Sequence, residues 1–195
     1  KISIEDTFIS KIKLGPLEFL DTTLNLKPST KSFEFLVTST ELEGKILVKQ
    51  PLKKGIGLNL SSLELNLDNF NTSNVFDYLL ESLAIPITFS VEKLLLDKKN
   101  YGHLSLFVTK ENQKLHFNQI QFSGINLNLG RNKEDKVTER NSFSISRKDK
   151  SIYSAFKGNI FTDNLSQSLL ALKGTDYDLN FLAGASNINL DISWE

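Results

Sequence analysis

Apolar and polar residues alternate along most of this chain. Leu63, Leu65 and Leu67 are separated by Glu64 and Asn66, and Ile125, Leu127 and Leu129 by Asn126 and Asn128. Ile188, Leu190, Ile192 and Trp194 alternate with Asn189, Asp191 and Ser193. Shorter runs of the same period occur at Phe33/Phe35/Val37, Ile56/Leu58/Leu60, Ile87/Phe89/Val91, Leu104/Leu106/Val108 and Phe143/Ile145. A period of two sends successive side chains to opposite faces of a strand, so each run predicts a strand with one dry and one wet face. Such strands suit an antiparallel sheet, because a parallel sheet covered on both sides reads as unbroken apolar runs. Short polar turns such as Lys53-Lys54-Gly55 and Lys110-Glu111-Asn112 join the runs in the manner of a meander.

Two segments switch to a helical period. Val75, Phe76, Leu79, Leu80 and Leu83 fall on one stripe, with Ser73 or Asn74 available as the cap and Pro86 as the stop. Leu165, Leu169 and Leu172 form a second stripe, running from Asp163 as N-cap to Lys173 and Gly174. Helices of about three turns are marginal alone in water, so each is expected to lie on the dry side of the sheet. The pattern predicts a mainly β, antiparallel fold with two short amphipathic helices. The chain is read as a single fragment, 1–195, of a longer β domain. Leu14-Gly15-Pro16-Leu17 and Tyr101-Gly102-His103-Leu104 suggest quasi-repeats at 1–98 and 99–195.

What buries the dry face is left open by the pattern. Two sheets facing each other as a sandwich would do so, and so would one sheet curled into a trough around something apolar.

Composition removes several chemistries. The 23 basic residues balance the 23 acidic ones, which leaves no electrostatic footprint for a nucleic acid. Without cysteine there is neither a disulfide framework nor a thiolate ligand or nucleophile. The two histidines, His103 and His116, fall on the polar side of their runs, and only Asp97 stands near enough in sequence to suggest a third metal ligand. Gly55-Ile56-Gly57 lacks the Lys-Ser/Thr of a phosphate loop, and no nucleophile-elbow pattern is present. The expectation is therefore no enzyme, no metal and no cofactor. Arg131 to Lys150 is basic and poor in apolar residues, and reads as a solvated hairpin loop. No apolar run approaches the roughly 18 residues of a membrane span, and the chain begins at Lys1, as a processed product or a fragment would.

From Tyr101-Gly102-His103-Leu104 onward the order of motifs resembles a known family. Leu115-His116-Phe117, Gly124-Ile125-Asn126-Leu127-Asn128-Leu129 and Ser154-Ala155-Phe156-Lys157-Gly158 follow in turn. Then come the predicted helix and Asn187-Ile188-Asn189-Leu190-Asp191-Ile192-Ser193-Trp194. Upstream, Leu42-Glu43-Gly44-Lys45-Ile46 and Gln50-Pro51-Leu52 fit the same series. This succession resembles the AsmA-like bridge proteins of the Gram-negative envelope, YhdP type, over roughly residues 40 to 195. The tryptophan expected near the middle of such a segment is missing, with Leu129-Gly130 near its place.

The resemblance implies a fold class of antiparallel, strongly curved sheet, an elongated taco-like β groove, in a periplasmic protein tethered to the inner membrane by a segment outside this fragment, with the groove moving phospholipid between inner and outer membranes. Its partners would be phospholipid acyl chains, with the membrane reached through regions outside the fragment, and no nucleic acid. The residues expected to line the groove are Phe33, Phe35, Leu63, Leu65, Leu67, Leu104, Leu106, Val108, Ile125, Leu127, Leu129, Phe143, Ile145, Ile188, Leu190 and Ile192. The helices would add Phe76, Leu79, Leu80, Leu83, Leu165, Leu169 and Leu172. An alternative is a structural or assembly module of the envelope, a closed β sandwich acting in outer-membrane protein biogenesis.

Overall fold

The alternating runs pair nearly in chain order. In the computed structural model, described for residues 4–14, 17–66, 72–125, 127–129, 141–148, 151–168 and 184–194, they form one twelve-stranded sheet. Its first half comprises β1 (Ile4–Leu14), β2 (Leu17–Pro28), β3 (Ser32–Thr38), β4 (Leu42–Lys49) and β5 (Ile56–Leu65). Helix α1 (Thr72–Ser82) leads to β6 (Ile87–Leu96), β7 (Lys99–Glu111) and β8 (Lys114–Gly124). The sheet is completed by β9 (Leu127–Leu129), β10 (Ser142–Lys148), β11 (Ser151–Thr162) and β12 (Ser186–Trp194).

Every neighbouring pair is antiparallel except one. Strands β5 and β6 run parallel, with Ile56 beside Ile87 and Leu65 beside Leu96. The period-two pattern predicted a wholly antiparallel sheet. The exception arises because α1 carries the chain back along the sheet before β6 begins, so β6 starts at the same end as β5. Helix α1 already includes Ser73 and Asn74, so neither is its cap, and it ends before Pro86 as expected. Leu80 and Leu83 are buried against Val108 and Leu115, flanked by Phe76, Leu79, Ile87, Leu106 and Phe117. The Phe76 and Phe117 rings meet edge to face at 6.1 Å.

One lane of the sheet is shared by two strands. Strand β10 lies between β8 and β11 at one end, and the three-residue β9 fills the same lane at the other. Asn141, fully buried, sits at the changeover. Its Nδ2 donates to the Asn159 carbonyl at 3.2 Å, and its Oδ1 accepts from the Asn159 N–H at 2.7 Å. The side-chain amide thus supplies the donor and acceptor that a strand backbone would otherwise give to β11. Gly158 makes room for it, since a Cβ there would lie 2.3 Å from Asn141 Oδ1.

Several expectations need adjusting. The basic stretch from Arg131 to Lys150 is not loop throughout, because Ser142–Lys148 is an interior strand whose Ile145 is buried. Ile125 has a φ of 44° and occupies the turn between β8 and β9, outside the alternation to which it was assigned. The second helix is described over 165–168, and its cap is Asn164, not Asp163: the Gln167 N–H donates to Asn164 Oδ1 at 3.1 Å. Asp163 lies one residue too early for its carboxylate to play that part. Leu67, Leu169 and Leu172 lie outside the described residues, as do residues 131–140.

Candidate functional site

Directly paired residues on neighbouring strands point to the same side of a sheet, so the register assigns faces. Leu26, Phe35, Ile46, Leu58, Phe89 and Leu106 form one continuous row across β2 to β7. A second row runs Ile87, Val108, Phe117, Phe143, Phe156, Ile192 across β6 to β12. A third runs Val91, Leu104, Phe122, Leu129, Ile160, Ile188. All three lie on one face. Leu127 sits beside Thr162 and Leu190 beside Gly158, which places Leu104, Leu127 and Leu190 on that same side. Leu63 and Leu65 join it through their partners Leu94 and Leu96. The period-two pattern thus produces transverse apolar tracks, a feature that depends on register and is invisible in any single strand.

The opposite face is polar along the matching row Asn59, Ser90, Ser105, Gln121. Both histidines lie there: His103 pairs with Ser123, and His116 with Thr109 and Ser144. Ser90 Oγ and His103 Nε2 are 3.4 Å apart. Lys45 and Glu34 approach to 3.8 Å across β3 and β4, and Lys157 and Asp191 to 3.6 Å across β11 and β12. No group of three His, Asp or Glu side chains suited to a metal occurs among the described residues. An open depression of about 530 Å³ is lined by Glu43, Lys45, Asn59, Ser61, Ser90 and Glu92 together with the apolar Leu36, Val37 and Leu60. It is larger than the apolar pocket beside Thr22, and Glu43, Lys45 and Glu92 put charges of both signs on its lining.

The apolar face is covered unevenly. Around β7 and β8, α1 lies over it, held at its rim by the Arg147–Asp77 ion pair and by Lys110 Nζ, which donates to the Glu81 carbonyl at 3.4 Å. Beyond the helix the aromatic rings continue outward. Phe117 and Phe143 lie 5.8 Å apart, and Phe143 stacks at 6.1 Å on Trp194, which is 48% exposed. On the other side of α1, Phe19, Val37, Leu42, Leu60, Leu63 and Val91 form a cluster drawn only from strands.

Beside that cluster lies a pocket of about 220 Å³ lined by Ile12, Phe19, Leu24, Phe35, Val37, Leu42, Ile46 and Thr22. Thr22 is the single polar residue among them, and its hydroxyl is buried without a hydrogen-bond partner. The alternation did not point to this pocket. It depends on Asp21, whose φ of 48° reverses the facing of β2 so that Phe19 and Thr22 both turn inward. A non-glycine residue in that conformation is not forecast by a hydrophobic period.

The rows and the pocket together present a continuous apolar surface on one side of the sheet. No protein-family model, curated protein or solved structure matches the chain.

Proposed function

We propose that the apolar face binds phospholipid acyl chains, and that the chain is a segment of a periplasmic, inner-membrane-tethered bridge protein of the AsmA-like type that passes lipid between inner and outer membranes. The carrying observation is the set of overlapping apolar rows, one crossing β2 to β7 and two crossing β6 to β12, which together cover the sheet from β2 to β12. With neighbouring strands about 4.8 Å apart, these rows extend over roughly 43 Å of sheet contour. That is nearly three times the roughly 15 Å half-thickness of a bilayer's hydrocarbon core. Each methylene moved from water onto such a surface gains about 0.8 kcal/mol, and the repetition of Leu, Ile, Val and Phe along each row offers near-equivalent positions. A chain held this way needs no catalytic group to move it. Complete burial of Val91 within a cluster containing no helical residue supports a sheet that bends around its apolar side.

The alternative of a two-sheet sandwich has less support, since the described strands belong to one sheet. The test is to incubate the purified chain with phospholipid vesicles, separate the two, and extract the protein for mass spectrometry. Retained phospholipid, with a blue shift in the emission of Trp194, the chain's single tryptophan, is the expected result. A protein that emerges lipid-free with unchanged emission defeats the proposal.

A further inference from the structure

The neutral net charge hides a local concentration of lysines in two adjoining turns at one end of the sheet. The turns after β2, β4 and β7 stand at one end of the sheet: Gln50 N–H donates to the Lys31 carbonyl, Ile56 N–H to that of Pro86, and Arg147 N–H to that of Gln113. The first two turns carry Lys31, Lys49, Lys53 and Lys54, and Lys114 and Lys148 continue the series along the same end. The acids at this end are Glu5, Asp6, Glu34, Asp77, Glu81 and Glu111, of which Glu34 faces Lys45 and Asp77 pairs with Arg147. At the opposite end the described turns and strand tips hold Glu18, Glu41, Glu43, Glu64, Asp97 and Asp163 against Lys11, Lys98 and Lys99, with Lys11 and Glu18 paired at 2.6 Å.

The basic end also presents apolar side chains where a solvated turn has no use for them. Leu52 is 50% exposed and lies directly before Lys53 and Lys54 in a single 3-10 turn. Phe33, 38% exposed, stands nearby at the start of β3. The turn is firmly built: Lys54 N–H donates to the Pro51 carbonyl, Gly55 N–H to that of Leu52, and Lys49 N–H to that of Gly55. Gly55 holds a φ of 94°, and a Cβ there would meet the Pro86 carbonyl oxygen at 2.3 Å. Leu52 is therefore presented outward, and two lysines flank it on a fixed backbone.

We infer that this end docks on an anionic lipid bilayer, with Leu52 entering the interface and Lys31, Lys49, Lys53 and Lys54 meeting the headgroups. Lysines suit that surface through charge, and their stems tolerate its boundary while an adjacent leucine gains from partial burial. The inference goes beyond acyl-chain binding, because it assigns this chain its own membrane contact and holds whether or not the apolar face carries lipid.

The test is co-flotation of the purified chain with vesicles of phosphatidylcholine alone, or of equal parts phosphatidylcholine and phosphatidylglycerol. Each lysine near an anionic surface is worth about fivefold in binding, so Lys53→Gln/Lys54→Gln should weaken partition by about 25-fold. The same charge change at the far end, Lys98→Gln/Lys99→Gln, should leave partition unchanged, with circular dichroism confirming that both variants fold. Added salt should weaken binding, and Leu52→Ser should weaken it further. Absence of binding to anionic vesicles, or equal loss in the two double variants, overturns the inference. Lipid retention is read separately by mass spectrometry, so a failure of docking and a failure of acyl-chain binding give different results.

Discussion

Replacing Thr22 by valine should make this protein more stable. The Thr22 side chain is fully buried, its neighbours in the pocket are apolar, and its hydroxyl has no hydrogen-bond partner. A buried hydroxyl that has lost water without gaining a partner costs about 1–3 kcal/mol. Valine keeps the branched shape and removes that cost, though a methyl is not a perfect match for a hydroxyl in a packed site. A net gain of about 1–2 kcal/mol is expected, which for a chain of this size is an increase in Tm of roughly 2–8 °C.

Urea denaturation gives the sharper reading, because the midpoint should rise with no change in slope. Thr22→Ser serves as the counterpart: it keeps the hydroxyl, removes the methyl, and should lower stability by about 1 kcal/mol. If Thr22→Val proves less stable than the parent, the hydroxyl has a partner and the pocket is not the dry site argued for above. The substitution also bears on function, since a wholly apolar pocket should bind acyl chains at least as well as the original. A large loss of lipid retention in a stabilised Thr22→Val protein would locate the binding surface elsewhere.

Asn141→Ala should destabilise by about 2–4 kcal/mol, because it strips the Asn159 N–H and carbonyl of their partners at the point where β10 gives way to β9; thermal denaturation will measure it. Leu115→Ala, at the fully buried contact between sheet and α1, should cost about 2–5 kcal/mol by the same assay. Arg147→Gln should shift stability by less than about 1 kcal/mol, because both members of its ion pair with Asp77 are more than a third exposed. A larger loss in urea melts would mean that α1 depends on that pair and not on its apolar stripe. Gly55→Ala should cost about 1 kcal/mol or more through its positive φ, with a further loss from the contact with Pro86, and should perturb the turn that presents Leu52.

The strands were largely legible because one face of each is dry and the other wet, which fixes a period of two at Leu63/Leu65, Leu104/Leu106/Val108 and Ile188/Leu190/Ile192. Helix α1 was legible for the related reason that Phe76, Leu79, Leu80 and Leu83 must meet one surface. The period could not show strand direction: nothing in Ile87/Phe89/Val91 distinguishes a strand that turned back from one delivered by a helical crossover. It also misplaced Ile125, whose side chain keeps the alternation in sequence while its backbone has entered a turn. Asn164 and Asp163 are equivalent as capping residues on paper, and only the helix's first turn decides between them.

The sequence thus determined by itself that this chain makes amphipathic strands with one dry and one wet face. Tertiary structure decided where those strands meet. Register joined separate apolar residues into rows across the sheet, the αL backbone at Asp21 turned Phe19 and Thr22 into one pocket, and the alignment of distant turns gathered lysines at one end. Side-chain alternation is a local property dictated by backbone geometry. Rows, pockets and charged ends depend on which strands become neighbours, and that is settled only when non-local pairs form.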